Sequence, residues 1–439
     1  MKISKFLLLP GFLLLPVLAL AQVSSYLTLN QALEISSKQN VAVQTAELDH
    51  RIAKADYHQT DAIFLPQVSL GYNAMVTNNP LNAFGFLLQQ SGVQAQNFDP
   101  ARLNHPGATQ NYSASLEVQM PLVNVDMIYA RKGARLQEQT YKYKAQHTKN
   151  YVRFEVQKAY SQLQFAYLSK EILTSTLKDV EAIHQSVVNF YNHGLVQKSD
   201  VLNAEVQVNT IKTALSKAET AILTASEGLG ILLGVDAEDN NKVYTTDSLV
   251  QKRQQLANTD FSMSRADIMA MQKAVDATRM MAKSSAMAFL PSINAFGNYQ
   301  FNDSKIFRFN EDSYLLGISL NWKLFTGNSN RSKYRSAALK RDKMQKELSL
   351  YVDKSRMEVN KTNRDLLVLQ TEIDRQELSV MQAAEALRIL TDRFAEGLVS
   401  TTDLLLSQAQ HSQQQLMLAQ AVMSYNVTSY YQDFLTTVN

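Results

Sequence analysis

The 439-residue sequence contains no cysteine, and this absence excludes disulfides and thiolate-bound metal centres. Proline and glycine are also scarce, at 8 and 14 residues. Because these two residue types end helices and form turns, their scarcity predicts long uninterrupted helices joined by few turns. The formal net charge is only +3, so the composition gives no reason to expect a nucleic acid as a partner.

Motifs for catalysis and for metal binding are absent as well. The seven histidines are scattered, and His50 and His58 are too far apart for a helical i, i+4 metal pair. No Ser/His/Asp grouping, carboxylate pair or phosphate-binding loop emerges, which argues against an enzyme and against a cofactor. The methionine-dense segment 263–287 offers thioethers suited to Cu(I), but its spacing does not place three sulfurs on one face and favours core packing.

The N-terminus has the pattern of a secretory signal. Two lysines precede an apolar stretch from Phe6 to Leu20, and Ala19-Leu20-Ala21 has the small-x-small pattern of a signal-peptidase site. We therefore expect residues 1–21 to be a signal peptide. An N-terminal membrane anchor is the less favoured alternative, because the apolar run is short and contains two prolines. No later apolar run reaches about 18 residues, so any membrane insertion would require β-strands.

The rest of the chain is a duplicated unit. The frame aromatic-x-x-Gly-Leu-Val-x-x-x-Asp-aliphatic-Leu occurs at Tyr191–Leu202 and again at Phe394–Leu405. Upstream of each frame lies a Phe-Leu-Pro motif, at residues 64–66 and 289–291. The elements follow the same order in both halves, which is the signature of an internal repeat.

The repeats define the predicted domains. We predict a first repeat over residues 22–234, a polar and irregular linker over 235–260, and a second repeat over 261–439. The stretch from Asn78 to Gln110 is rich in Asn, Gly, Pro and Gln, and its counterpart from Asn302 to Asp312 is short. We interpret the longer stretch as a surface loop.

Each repeat holds two segments in which apolar and polar residues alternate with period two. They lie at about 66–77 and 112–122 in the first repeat and at about 292–302 and 313–324 in the second. Their length suits a tilted strand that spans a membrane, although a soluble sheet with one wet face shows the same alternation. An open sheet edge is not viable in lipid, so four strands would have to join those of other chains. Three chains would supply twelve strands.

Long helices are predicted between the strand pairs and the Gly-Leu-Val frames. Residues 126–191 and 328–394 contain no proline, and at about 1.5 Å per residue each helix would reach roughly 100 Å. Apolar residues recur there at the 3/4 spacing of a coiled coil. Gly194 and Gly397 suit the left-handed position that ends a helix, so each half should form a helical hairpin with a tight tip. The predicted caps of the returning helices are Ser199 and Thr402, or the following Asp200 and Asp403.

Further short motifs complete the pattern. They are Leu27-Thr-Leu-Asn-Gln-Ala-Leu33, Leu232-Leu-Gly234, Leu324-Phe-Thr-Gly327, the two Phe-Leu-Pro motifs and both Gly-Leu-Val-x-x-x-Asp tips. In this duplicated order they resemble one family, the TolC-like outer-membrane efflux proteins, also called outer-membrane factors. The resemblance covers essentially the whole chain after the signal.

The resemblance implies a mostly α-helical, mixed α/β membrane protein. Long coiled-coil hairpins would form an α-barrel tunnel in the periplasm, and four antiparallel strands per chain would contribute to a 12-stranded trimeric β-barrel in the bacterial outer membrane. It implies a homotrimer that joins a periplasmic adaptor (membrane fusion) protein and an inner-membrane pump of the RND or ABC type. Such a channel would export solutes in tripartite efflux or type I secretion.

The resemblance also points to the hairpin tips as the docking site for the adaptor. The residues carried over are Gly194, Leu195, Val196, Ser199, Asp200, Gly397, Leu398, Val399, Thr402 and Asp403. Simple capping would account for the glycines and aspartates. A helix turn alone, however, does not need two apolar residues in water, which favours a docking role for the Leu-Val pairs.

A periplasmic gate at the tips is the remaining expectation. The best-known family member narrows this end with acidic residues, one of them a turn after the shared aspartate. In this sequence that position is Leu406, and its first-half counterpart is Asn203, so the acidic ring is not reproduced. A ring of Asp403 side chains and an apolar constriction by Leu406 are both open as gates.

Two other classes of function stay open from the residues alone. The chain could be a periplasmic coiled-coil scaffold that never enters a membrane. It could also be a passive diffusion pore whose tips stand open without a partner. The sequence does not identify the exported substrate.

Overall fold

The computed structural model describes residues 24–235, 242–252 and 260–437. The predicted signal peptide, residues 1–21, lies outside the described residues, as do residues 236–241 and 253–259 of the predicted linker. None of the described helices is long and apolar enough to cross a membrane.

The described residues contain nine α-helices and six strands. In chain order they are β1 (Ser24–Tyr26), α1 (Leu29–Gln39), α2 (Val41–Gln59), β2 (Gln67–Thr77), α3 (Pro80–Gln89), α4 (Pro100–Asn104), β3 (Thr109–Val123), α5 (Val125–Asn192), α6 (Lys198–Leu233), β4 (Val243–Thr245), α7 (Ala266–Met287), β5 (Ser292–Asp303), β6 (Glu311–Asn321), α8 (Ser329–Ala395) and α9 (Thr401–Thr436). Short 3-10 turns occur at Thr60–Ile63 and Ala95–Phe98.

By its internal contacts the chain divides into two compact units. The first unit comprises the described parts of residues 1–41, 152–257 and 364–431. The second comprises the described parts of residues 42–151, 258–363 and 432–439. Each unit therefore combines segments of both predicted repeats, because the repeats follow the sequence whereas the units follow the packing.

The second unit contains a four-stranded antiparallel sheet in the order β2-β3-β5-β6. Paired residues share a face, so the alternation gives the sheet one mainly apolar face and one mainly polar face, on which Met75, Phe296 and Leu315 are apolar exceptions. The apolar face includes the row Leu70, Leu116, Tyr299 and Tyr314. The polar face carries Ser69, Asn73, Ser113, Glu117, Asn298, Gln300, Ser313 and Ser319. The predicted set of four antiparallel strands is confirmed.

The last strand ends earlier than the alternation predicts. β6 runs over Glu311–Asn321, whereas the apolar periodicity continues to Leu324. Asn321 pairs with Ser292, the first residue of β5. The residue before Ser292 is Pro291, which has no N–H to donate, and the ladder stops there.

The stretch from Asn78 to Gln110 is not irregular throughout, because it contains helices α3 and α4. Asn79 Oδ1 accepts the backbone N–H of Asn82 at 3.2 Å, and Pro80 follows the cap. Asp99 Oδ1 accepts the N–H of Ala101 at 2.9 Å, and Pro100 follows that cap. A capping side chain followed by proline starts a helix, so the same residues that suggested a loop begin these two helices.

The predicted linker also contains regular structure. β4 pairs in parallel with β1, with Ser24 opposite Val243 and Tyr26 opposite Thr245. The buried Tyr160 hydroxyl of α5 donates to the carbonyl of Leu27 at 2.9 Å and hydrogen-bonds Asp247 as well. Strands of three residues are too short for an alternation to reveal them.

The end of α6 shows why its glycine is required. Gly234 has φ +78°, and a Cβ at this position would lie 2.3 Å from the carbonyl oxygen of Gln39. Asn40 Nδ2 donates to the carbonyl of Leu232 at 2.8 Å. The Leu-Leu-Gly motif therefore lets the C-terminal end of α6 pack directly against the C-terminal end of α1.

The helices of the first unit pack through buried apolar side chains at the predicted 3/4 spacing. One cluster consists of Val180, Ala204, Val208, Ile211 and Leu405, from α5, α6 and α9. A second consists of Leu366, Ile373, Ala421 and Tyr425, from α8 and α9. The predicted long coiled-coil hairpins are confirmed.

Candidate functional site: the hairpin tips

Each hairpin tip begins where a long helix ends in a left-handed glycine. Gly194 and Gly397 both have φ +73°. At the first tip the N–H of Leu195 donates to the carbonyl of Phe190 at 2.9 Å, and that of Gly194 to the carbonyl of Tyr191 at 2.9 Å. The second tip repeats this pair of bonds at 2.9 and 3.0 Å. This arrangement is the Schellman motif, which satisfies the last carbonyls of a helix.

The returning helices are not capped by the residues that the sequence predicted. The N-cap of α6 is Gln197, whose backbone N–H is accepted by Asp200 Oδ2 at 2.9 Å. α9 is capped by Ser400, whose Oγ accepts the N–H of Asp403 at 3.2 Å and donates to Asp403 Oδ2 at 2.7 Å. The predicted caps were wrong, since Ser199 and Thr402 are the second helical residues and Asp200 and Asp403 the third.

A sequence signal for the true cap of α9 was present. Ser400-Thr-Thr-Asp403 before three leucines has the Ser-x-x-Asp spacing of a capping box. In that motif the serine caps the helix and the acidic residue reaches back to it. The aspartate shared by both tips therefore has a structural role at each helix start.

The two residues of each Leu-Val pair lie in different environments. Leu195 is 70% exposed and Leu398 is 66% exposed, whereas Val196 and Val399 are half-buried. An exposed leucine adds little to the stability of its own tip, so its apolar surface is free to contact another molecule. The sequence did not distinguish the two residues, because both have the same apolar character.

A cluster of apolar side chains holds the two tips side by side within the first unit. We call it the tip cluster, and its buried members are Val187, Phe394 and Leu404. Val196, Phe190 and other apolar residues of α5, α6 and α8 pack around it. The rings of Phe190 and Phe394 lie 5.3 Å apart between centroids. The exposed Leu195 and Leu398 therefore belong to two tips that the tip cluster packs together.

A groove of about 740 Å³ lies against the tip cluster. Its apolar lining includes Phe190, Phe394 and Leu404, from α5, α8 and α9. Its polar lining includes Arg388, which donates to Glu385 at 2.7 Å and to Asp392 at 3.0 Å. The hydrogen bond from Arg388 lowers the pKa of the Glu385 carboxyl, so this ion pair stays charged at neutral pH.

The three predicted gate residues are all on the surface of the single chain. Asp403 and Asn203 are exposed, and Leu406 is 66% exposed. The two preceding leucines, Leu404 and Leu405, are buried in the tip cluster and the neighbouring core. Leu406 is therefore the one leucine of this run that its own chain does not use for packing.

Within residues 24–235, 242–252 and 260–437, no group of three or more His, Asp or Glu side chains converges as a metal site. In the methionine-rich helix α7, the Met281 side chain packs beside Gly133 of α5.

Comparison with known proteins identifies this architecture. The family described as outer membrane efflux protein matches residues 31–235 and 261–429. No curated protein matches the sequence.

Solved structures share the fold at low sequence identity. The Campylobacter jejuni CmeC outer membrane channel superposes with a TM-score of 0.82 at 14% identity, covering 93% of this chain and 85% of CmeC. The Vibrio cholerae outer membrane protein VceC has a TM-score of 0.81 at 17% identity, covering 94% of this chain and 96% of VceC.

The family match explains both parts of the structure, the long helical hairpins and the four-stranded sheet. Proteins of this family generally form trimers and work with periplasmic adaptors and inner-membrane pumps. The chain belongs to the outer membrane efflux protein family, and it is an outer-membrane transport duct with a periplasmic helical tunnel rather than an enzyme.

Proposed function

We propose that this chain, as a homotrimer, is the exit duct of a tripartite efflux or type I secretion machine. It receives solutes from an inner-membrane pump of the RND or ABC type through a periplasmic adaptor and releases them outside the cell. The observation that carries this proposal is the pair of exposed leucines, Leu195 and Leu398, which two matching Schellman tips present from one packed base.

The sheet supports assembly from several copies. β2 and β6 are its two edges, and large apolar side chains on one face are exposed in the single chain. Lipid can cover that face, but it cannot satisfy the unpaired N–H and C=O groups of the two edges. Pairing β6 of one copy with β2 of the next satisfies them, and three copies close a ring of twelve strands.

Docking of the adaptor is assigned to the tips. Burying two leucines of more than 60% exposure against a partner would contribute about 1.5–3 kcal/mol for each residue fully buried. The neighbouring groove adds an apolar lining and the charged Arg388, which suits a partner helix with one apolar and one polar face. Residues Gly194, Gly397, Asp200 and Asp403 shape the two tips, and the leucines make the contact.

The gate is assigned to Leu406 rather than to Asp403. One carboxylate oxygen of Asp403 is already held by the Ser400 hydroxyl at 2.7 Å, so this side chain serves the start of its own helix. Leu406 is exposed and has no such role. Three copies of Leu406 around a common axis would form an apolar constriction, and Asn203 would add no charge to it.

The docking test uses matched substitutions at both tips. Cells that lack the chain are complemented with wild type, with Leu195→Asp/Leu398→Asp, or with Leu195→Met/Leu398→Met. Growth is measured against a panel of antibiotics, detergents and metal salts, and secreted proteins are compared in the culture medium. We expect the Asp pair to lose the export that wild type restores and the Met pair to keep it, because Met remains apolar.

The control for folding is the amount of trimer in the outer membrane. Full export by an Asp pair that assembles normally would contradict docking through the leucines. Loss of tolerance to small compounds would indicate efflux, and loss of a secreted protein would indicate type I secretion.

The gate test uses the absence of cysteine from the chain. A Leu406→Cys variant should form disulfides between copies under mild oxidation, and Asn203→Cys should form fewer. Trimers in which Leu406→Cys never crosslinks would contradict the apolar constriction.

A further inference from the structure

The segment between β2 and β3 is anchored to the polar face of the sheet. Gln90 Nε2 donates to Asn111 Oδ1 at 2.9 Å, and Ser91 Oγ donates to Glu311 Oε2 at 2.7 Å. Asn111 Nδ2 in turn donates to Asn302 Oδ1 at 3.1 Å, and Asn302 is the register partner of both Ser113 and Glu311. Paired residues share a face, so both anchors lie on the polar side.

This segment shields one end of the polar face. α3 contacts both β3 and β6 and thus crosses the sheet. Asn111 and Asn302 are 0% and 1% exposed, whereas Glu117 and Gln119, further along β3, are less buried. A channel lined by the polar face would therefore be open along Glu117 and covered at the end where α3 lies.

The exposed face of helix α3 itself is apolar. Ala83 is buried, while Leu81 and Leu88 are 81% and 56% exposed. Gly85 lies between them on the same helix face, and a Cβ there would meet nothing within 4 Å. Positions i, i+4 and i+7 form one stripe of a helix, so α3 presents a Leu-Gly-Leu stripe with a shallow centre.

The equivalent segment of the second repeat, between β5 and β6, packs on the opposite, apolar face of the sheet. The Phe307 ring stacks on Tyr72 of the apolar face at 5.2 Å between centroids, and the Phe307 N–H donates to the Tyr72 hydroxyl at 3.0 Å. Phe309 packs edge-on against Phe301 at 5.9 Å. This shorter segment covers the side that faces lipid, so the position of α3 on the polar side is particular to the first repeat.

We infer that α3 is a lid over the exterior mouth of the duct, formed when the Leu81–Leu88 stripes of three copies meet on the common axis. This inference rests on the proposed trimeric duct, because the polar faces of three sheets line a shared interior only after the ring closes. The occupant of the stripe is then α3 of the other copies. Lipid lies on the opposite side of the sheet, against the apolar face.

The lid and the Leu406 constriction would be two closures of one path. A solute must pass both, and each depends on apolar contacts between copies rather than on charge. The lid is tethered by the neutral bond from Gln90 to Asn111 and by the charge-assisted bond from Ser91 to Glu311. Both tethers lie in the residues that directly follow α3, so they fix the C-terminal end of this helix to β3 and β6.

Crosslinking of single cysteines tests the lid in the intact protein in outer membranes. Because the chain has no cysteine of its own, every crosslink reports the introduced thiol. We expect Leu88→Cys, or Leu81→Cys, to give dimers on denaturing gels after treatment with a short bismaleimide. The control is Tyr314→Cys, on the apolar face of β6, which should give none because its copies face lipid a third of the ring apart.

The outcomes separate the lid from the duct. Trimers without a crosslink at either Leu81→Cys or Leu88→Cys would overturn the lid and leave the duct intact. Reaction of Leu88→Cys with a lipid-soluble maleimide, but not with a water-soluble one, would place α3 in the bilayer and would also overturn the lid. Recovery of monomers alone would instead count against the proposed trimer.

Discussion

The two repeats are nearly identical at their hairpin tips and clearly different at the loops between their strands. Both tips have a glycine at φ +73°, the same Schellman bonds and one exposed leucine. In the loop between β2 and β3, α3 lies on the polar face of the sheet, whereas in the loop between β5 and β6, Phe307 packs on the apolar face. The tips share one task in the proposal, which is to dock an adaptor. In the proposal the two strand loops differ because one covers the interior of the duct and the other covers the side that faces lipid.

The largest effect is expected when both closures are weakened together. Each of Leu406→Ser and Leu81→Ser/Leu88→Ser leaves one apolar constriction intact, so each alone should change the conductance of the trimer in planar bilayers only slightly. The combined variant should conduct far more than either. A Leu81→Ser/Leu88→Ser variant as open as the combined one would show that the tips are not closed.

The likeness of the tips predicts equal costs for the two glycines. Gly194→Ala and Gly397→Ala should each destabilise the local tip by about 1–2 kcal/mol, because φ +73° is unfavourable for any residue with a Cβ. A Cβ added at either glycine would meet nothing within 4 Å, so backbone strain alone sets the cost. Amide hydrogen exchange at Leu195 and Leu398 measures it, and a clear inequality would show that the tips are held differently.

The two tips should differ in how much the N-cap side chain stabilises the returning helix, α6 at the first tip and α9 at the second. Ser400→Ala removes a side-chain cap and should cost about 1 kcal/mol. Gln197→Ala should cost much less, because Asp200 accepts from the backbone N–H of residue 197, which alanine keeps. Exchange protection in the first turns of α9 and α6 is the measurement. Equal losses would indicate that the Gln197 side chain also caps its helix.

The smallest expected effect is a difference in pH response between the units. Burial lowers the pKa of His147 in the second unit below 6.5, with Asp267 opposing the shift and Arg265 adding to it. The unfolded state then binds more protons, so stability contributed by neutral His147 is present at higher pH and is lost as pH falls below about 6.5. Thermal unfolding between pH 7.5 and 5.5 should show this slope, and His147→Gln should flatten it.

The tips should respond in a lower pH range. The pKa of Glu385 is lowered from 4.5 by its bond with Arg388, so this pair loses its contribution only as pH falls below 4.5. Hydrogen exchange near Arg388 that accelerates between pH 7.5 and 5.5, beyond the intrinsic pH dependence of exchange, would contradict this assignment.

Much of the fold was predictable because its periodic signals are long. Ten-residue alternations and 3/4 repeats over more than sixty residues leave little ambiguity, and the family, the fold class and the outer-membrane location were confirmed. The glycines at the tips were predictable because helices very commonly end at a left-handed residue, which is usually glycine.

The features that the sequence did not predict depend on short or distant contacts. The pairing of β1 with β4 involves only three residues in each strand. Helix α3 lies on the polar face of the sheet because Gln90 and Ser91 hydrogen-bond residues of β3 and β6. No local sequence pattern reveals these long-range bonds. The difference between exposed Leu195 and half-buried Val196 likewise arises from the tip cluster, to which α8 and α9 contribute.

The most direct test of the account is the conductance of the isolated wild-type trimer in planar bilayers. A gated duct with apolar closures at its tips and at its mouth should insert and remain almost non-conducting, without the adaptor, across a range of voltages. A steady, high conductance from the wild-type trimer alone would identify a passive diffusion pore and would contradict the gated duct.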